Sequence, residues 1–222
     1  MQNLGFAFSM IPMIEGEDKS STRVSEFLLR HLQLFNTHPY FSASILGSVA
    51  RAEEELRPGQ DGAQIVQLKN TLMAPYAAIG DAFFWGSWRP FVAIVAVTLS
   101  LLGFSWAPVV FLVLYNPLHL WIRWQGFRDG YRLGNRGVQF VQALNLPALN
   151  PWIRWSSVAV LALLTFGWLE VEKPALFGEL PGTVVGVSVI GLILLSSWAT
   201  GRHVSSVVQL YGLAMVFFLF SL

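Results

Sequence analysis

Charged residues vanish from four stretches of this chain. No Asp, Glu, Lys or Arg occurs from Phe91 to Ile122, Trp155 to Leu169, Leu180 to Gly201 or His203 to Leu222. A bilayer core about 30 Å thick is crossed by roughly 20 apolar helical residues. The last two windows meet that length directly. The run from Trp155 is extended by the uncharged Leu144–Ile153 before it, with Pro147 and Pro151 setting its start. Phe91–Ile122 is too long for one helix, and Gly103 and Pro108 bracket a good turn at Phe104-Ser105-Trp106. It reads as a helical hairpin whose first arm begins near Phe83. Lipid offers the backbone no partners, so an open-ended spanning element must be a helix. The expected fold class is all-α, a polytopic membrane protein.

The first 90 residues follow a different pattern. Thr22–Leu34 carries Val24, Phe27, Leu28, Leu32 and Leu34 at roughly helical period, with Ser21 or Thr22 as cap. This predicts an N-terminal amphipathic helix, interfacial or packed on a partner. Pro39 then disfavours helix at His38. Phe41–Leu56 resumes a helix rich in small residues (Ser42, Ala43, Ser44, Gly47, Ser48), which let helices approach closely. Arg57-Pro58-Gly59-Gln60-Asp61-Gly62 is a turn, and Gln64–Trp85 follows, interrupted by Pro75 and Gly80. The expectation is a broken, re-entrant helical hairpin that dips into the membrane. The domain reading is an amphipathic and re-entrant region over 1–90 and a transmembrane helical region over 91–222, within one integrated membrane domain. Met1–Ile14 is apolar but lacks a basic leader, and Glu15 and Glu17 follow it, so an uncleaved N-terminus is expected.

Composition agrees. Of 222 residues 54% are hydrophobic and only 12% charged, about half the share usual in soluble chains. The net charge of +1 supplies no field for nucleic acid, and the absence of Cys removes disulfides and thiolate chemistry. Arg123–Arg154 holds Arg123, Arg128, Arg132, Arg136 and Arg154 against Asp129 alone. The positive-inside rule puts that stretch in the cytoplasm, Glu170–Glu179 outside and Arg202 back in the cytoplasm. Trp121, Trp124, Trp152 and Trp155 stand at predicted span ends.

Candidate chemistry is polar and sparse. Phe35-Asn36-Thr37-His38-Pro39-Tyr40 sets an amide, a hydroxyl and an imidazole beside a helix break. These groups suit a polyhydroxylated ligand, and equally a capped helix junction. Asp81 lies in apolar surroundings, where an acid lines a pathway or pairs with a base such as Arg89. It could also cap a helix after Gly80. Glu53, Glu54 and Glu55 splay around a helix, so at most one or two face a buried site. The four His lack metal spacing, and no phosphate loop, dinucleotide fingerprint or nucleophile elbow is present. No cofactor and no metal are expected, and an intramembrane enzyme using Asp81 or His38 lacks a paired nucleophile.

Several segments resemble a known family. They are Gly5-Phe6-Ala7-Phe8-Ser9-Met10-Ile11-Pro12, Arg30-His31-Leu32, Phe35–Tyr40, Ile45-Leu46-Gly47, Glu53-Glu54-Glu55, Lys69–Gly86 and Arg89-Pro90. In this order they resemble the IID component of the mannose/fructose/sorbose family of the bacterial phosphotransferase system. The resemblance covers most of residues 5–140, and beyond 155 it rests on hydropathy.

The resemblance implies a multi-pass subunit of the bacterial cytoplasmic membrane, not catalytic by itself. It would assemble with a IIC subunit, in trimeric pairs with an elevator-like moving core, to pass a hexose inward. A separate IIB subunit would phosphorylate the sugar, taking phosphate from IIA. Asn36, His38, Glu53, Glu54 and Asp81 match the family motifs and would lie on or near the sugar path. The chain is shorter than typical members, with a leading helix expected to be reduced or missing. A shortened, non-transporting scaffold or regulatory membrane subunit is the alternative.

Overall fold

Helix follows helix along the chain, and no strand occurs among the described residues. The computed structural model describes residues 2–14, 21–57, 60, 62–134, 138–171, 182–202 and 204–221. Pro58, Gly59, Asp61, Arg136, His203 and most of the acidic stretch Glu170–Glu179 lie outside them. Two compact units are present, Met1–Ile153 and Arg154–Leu222.

The first unit begins with α1 (Asn3–Met10), which runs into a 3-10 turn at Ile11–Ile14, where Pro12 removes a backbone donor. α2 (Ser21–Leu32) is the amphipathic helix, with Phe27 and His31 buried. Leu32 and Leu34 of its predicted apolar set are exposed: Leu32, the last helical residue, lies about 100° round from buried His31, and Leu34 lies beyond the helix end. Gln2 staples α1 to the segment after α2. Its backbone N–H bonds to Phe35 O at 2.9 Å, and its side chain both donates to Thr37 O and accepts from Thr37 N–H.

α3 (Ser42–Glu54) and α6 (Ala107–Leu133) form the most extensive helix–helix contact of the unit. A methyl group on Gly47 would stand 2.3 Å from Phe127 O, and one on Gly130 would stand 2.3 Å from Ser44 O. Gly126 faces Ser44 in the same row. Small residues four apart bring the two backbones into direct contact, the usual device where no water drives helices together. α6 therefore continues past Ile122, and Arg123, Arg128 and Arg132 lie on helix rather than in the loop implied by their charge. Packing on α3, rather than charge, decides where the helix ends.

The expected break at Pro75 and Gly80 does not occur. α4 (Ala63–Gly80), a π-helical segment (Asp81–Trp88) and α5 (Arg89–Leu101) form one continuous 39-residue helix. Pro75 removes a single donor inside an otherwise bonded helix. Below it the ladder widens, with Arg89 N–H bonding to Phe84 O five residues back. Among the described residues this is the one helix long and apolar enough to cross a membrane. The hairpin to α6 forms, but its first arm does not begin near Phe83: it continues the helix that starts at Ala63. Gly103, at φ +87, lets Phe104 N–H reach Leu99 O while its own N–H bonds to Ser100 O, closing α5 with the bond pair that stops many helices. The short α7 (Val138–Ala143) buries Val141 in this unit, and α8 starts at Leu146, also buried there.

In the second unit, α9 (Gly182–Gly201) and α10 (Ser206–Ser221) are tied by Gln209, which accepts from Ser196 and donates to Thr200 Oγ1 and Val204 O. Their outer surfaces carry exposed Val187, Leu195, Leu210 and Tyr211. α8 (Leu146–Val171) contains the apolar run from Trp155 and admits Pro151 in its second turn.

The α3–α6 contact makes a test. Gly130→Ala forces a methyl group against the Ser44 carbonyl and destabilises the protein by about 2–3 kcal/mol, the upper range for overpacking. Gly167→Ala on α8, where nothing lies within 4 Å, is neutral or slightly stabilising. Thermal unfolding of both purified variants in detergent reads the difference.

Candidate functional site

The segment between α2 and α3 lies along α4. Asn36 N–H bonds to Met73 Sδ at 3.4 Å, Thr37 Oγ1 donates to Met73 O at 3.0 Å, and His38 rests on Gly80. A methyl group on Gly80 would meet the His38 ring at 2.3 Å, so only glycine leaves room there. His38 is 1% exposed and stacks on Phe84 at 5.2 Å. Its Nδ1 accepts from Tyr40 N–H, which leaves the ring proton on Nε2. That Nε2 is buried without a partner among the described residues.

Burial pushes the His38 pKa down to about 4, against the pull of Asp81 and with help from Arg123. The imidazole is neutral at pH 7. Asp81 opens the π segment and is exposed. Asn36, His38 and Asp81 thus share one flank of α4, within the roughly 12 Å that eight helical residues span.

Around this flank stands a cluster that sequence reasoning largely missed. Tyr40 and Tyr115 share a hydrogen bond at 2.9 Å, and Tyr40 stacks on His119 at 4.4 Å. His119 Nε2 meets Asn116 Oδ1 at 3.0 Å. The Arg123 guanidinium lies 4.9 Å from the Tyr40 ring centroid, and that of Arg89 lies 5.3 Å from Trp85. Asn116, His119 and Arg123 recur at three and four residues along α6. That spacing on a hairpin arm otherwise poor in polar groups was the available signal. Beside the cluster, α1, Pro39, Ser42 and Arg123 line a groove of about 560 Å³, which neither His38 nor Asp81 reaches.

Glu53 and Glu54 lie elsewhere. Glu53, at the end of α3 with its side chain 6% exposed, accepts from Arg30 Nε at 2.8 Å, Arg30 Nη2 at 2.9 Å and His31 Nε2 at 2.9 Å. The buried Lys69 donates to Arg30 O on the same helix end. Glu54 is exposed and accepts from Tyr131 at 2.6 Å. Tyr131 and His119 are twelve residues apart on α6, about 18 Å. The five candidate residues therefore form two groups, Asn36, His38 and Asp81 in one and Glu53 and Glu54 in the other. Among the described residues no group of His, Asp and Glu is arranged to hold a metal ion.

Burial by itself would raise the Glu53 carboxyl. The hydrogen bonds from His31 and Arg30, with the Arg30 charge, outweigh it and leave the group below its ordinary 4.5. A depressed carboxyl stabilises the fold fully above its unfolded value, and that contribution is lost as pH falls through the folded one. The melting temperature is therefore expected to fall as pH drops below 4.5. Glu53→Gln costs roughly 3 kcal/mol at neutral pH, because it strips Arg30 of its partner, and it flattens the acid dependence. Melting curves across pH for both proteins check this.

A family model described as the PTS system mannose/fructose/sorbose family IID component matches residues 1–222. The fructose permease IID component of Bacillus subtilis (strain 168) is 29% identical, covering 97% of this chain and 85% of that protein. The PTS system mannose-specific EIID component of Escherichia coli (strain K12) is 33% identical over 78% of this chain, and the match spans 62% of that protein. Among solved structures, one titled "Structure of membrane protein" aligns with a TM-score of 0.70 at 26% identity, over 98% of this chain and 87% of that one. A second, the cryo-EM structure of the mannose transporter ManYZ with microcin E492, aligns with a TM-score of 0.55 at 27% identity, over 98% and 85%. With its hairpin, its apolar helices and a match running from end to end, the chain belongs to the IID components of the mannose/fructose/sorbose family of the phosphotransferase system, membrane subunits of a sugar permease.

Proposed function

We propose that this chain pairs with a IIC membrane subunit in the bacterial cytoplasmic membrane, crosses it several times, and helps to line the path of a mannose-type hexose. IIB phosphorylates the sugar with phosphate drawn from IIA, and the IIC–IID pairs assemble as trimers. Asn36, His38 and Asp81 face the path, while Glu53 and Glu54 hold the α2–α3–α6 end together. One observation carries this reading. His38 is a neutral, buried imidazole with a free Nε2–H donor, beside an exposed carboxylate and an amide, in a chain otherwise built for lipid. A hydroxyl both donates and accepts, so a sugar answers a donor and an acceptor together. The likeness to a mannose-specific relative and to a mannose transporter supports the choice of ligand class.

The experiment is uptake. The chain is co-expressed with its IIC, IIB and IIA partners, and sugar phosphate accumulation in vesicles is measured for a panel of hexoses. Asp81→Asn lowers uptake about tenfold, as loss of a charged hydrogen bond implies, and leaves the assembled complex intact. Unchanged uptake in that variant would remove Asp81 from the path.

A further inference from the structure

Three exposed charged side chains stand around the Tyr40–Trp85 ring pair, two on the continuous helix and one on α6. Asp81, Trp85 and Arg89 succeed one another at four-residue intervals on the continuous helix, and all are exposed. Arg123 joins them from α6, across the Tyr40 ring, whose centroid lies 5.9 Å from that of Trp85. Asp81, Arg89 and Arg123 make no hydrogen bond or ion pair among the described residues. Each guanidinium lies over an aromatic ring, Arg89 on Trp85 and Arg123 on Tyr40.

Depth makes this unusual. The hairpin turn carries exposed Phe104 and Trp106, aromatic residues suited to an interface. Arg89 lies twelve residues before Leu101, about 18 Å below the turn, and Arg123 sixteen residues after Ala107, about 24 Å. Both depths fall inside a hydrocarbon core about 30 Å thick. An arginine cannot shed its charge to suit lipid, so within a membrane it needs a polar partner or a water-filled cavity. Two guanidiniums against one carboxylate leave the face net positive. Ala82 and Gly86, also exposed, leave room for another backbone to come close.

We infer that this face docks a membrane helix of the IIC subunit, and that this helix brings an Asp or Glu carboxylate to Arg89 and Arg123. The inference rests on the subunit reading above and deepens it by naming the docking face and its charge. The carboxylate closes the positive face against lipid and sets the seam of the two subunits beside Asp81 and His38. Lipid phosphate is the competing source of negative charge. It reaches the headgroup depth but not Arg89 at mid-membrane.

Because the chain has no Cys, Gly86→Cys creates a single thiol without background. Membranes with and without co-expressed IIC are treated with N-ethylmaleimide. Labelling at Gly86→Cys is expected to slow at least tenfold when IIC is present, while Gln60→Cys, on an exposed connection, is unaffected. In affinity purification the double variant Arg89→Glu/Arg123→Glu retains less than a tenth of the wild-type IIC, and Arg89→Lys retains at least half. Equal labelling of Gly86→Cys with and without IIC overturns the docking face, even if the reversal variant is poorly made. Full IIC recovery with the reversal variant overturns the role of the two arginines, and bound phospholipid recovered in its place identifies lipid as the occupant. Wild-type protein that retains no IIC at all overturns the subunit reading and this inference with it.

Discussion

The contact on which the rest of the first unit depends is the backbone-to-backbone approach of α3 and α6 at Gly47, Gly126 and Gly130. No side chain larger than hydrogen fits at Gly47 or Gly130, so the pair registers at a single point along both helices. That register sets two ends at once. At one end Tyr40 meets Tyr115, His119 and Arg123. At the other, Glu54 meets Tyr131, and Glu53 is presented to α2. A shift of one residue would turn each helix by about 100° and undo both ends together.

The same register separates charges that hold the fold from charges left open. Glu53 is consumed by Arg30 and His31, and its lowered carboxyl records a satisfied, buried pairing. Arg51 and Glu55 form an exposed pair one helical turn apart, the kind that contributes little. Asp81, Arg89 and Arg123 have no such partners among the described residues, and they stand around the π segment. π-helical turns are common at functional sites, because a widened ladder re-aims side chains at some cost in helix stability. Here the widening follows the glycine that admits the His38 ring, so the local distortion and the proposed sugar-facing residues coincide.

The helical composition, the hairpin with its turn at Gly103 and the amphipathic α2 were legible because each depends on local periodicity. The family was legible because several motifs survive in order. The break expected at Pro75 and Gly80 failed for a tertiary reason. Pro75 withdraws one hydrogen bond, while His38 and Thr37 hold the same helix from outside. The loop read from Arg123 onward failed similarly, since Gly126 and Gly130 pack on α3 and carry α6 through these arginines to Leu133. The pairing of Asp81 with Arg89, suggested by proximity in sequence, does not form, because Arg89 turns onto Trp85.

What this sequence determined alone was the solvent each segment prefers and the helical state of most of it, because hydropathy and propensity act over a few neighbouring residues. Tertiary structure alone decided that Glu53 and Asp81 belong to different groups, Glu53 tied to Arg30 and His31 and Asp81 exposed beside His38. It also decided that His38 is neutral, with a donor left unpaired among the described residues, and that Tyr115, His119 and Arg123 gather on the neighbouring Tyr40. Burial, partner geometry and the Coulomb field depend on residues far away in sequence, and one-dimensional spacing carries no record of which of them meet.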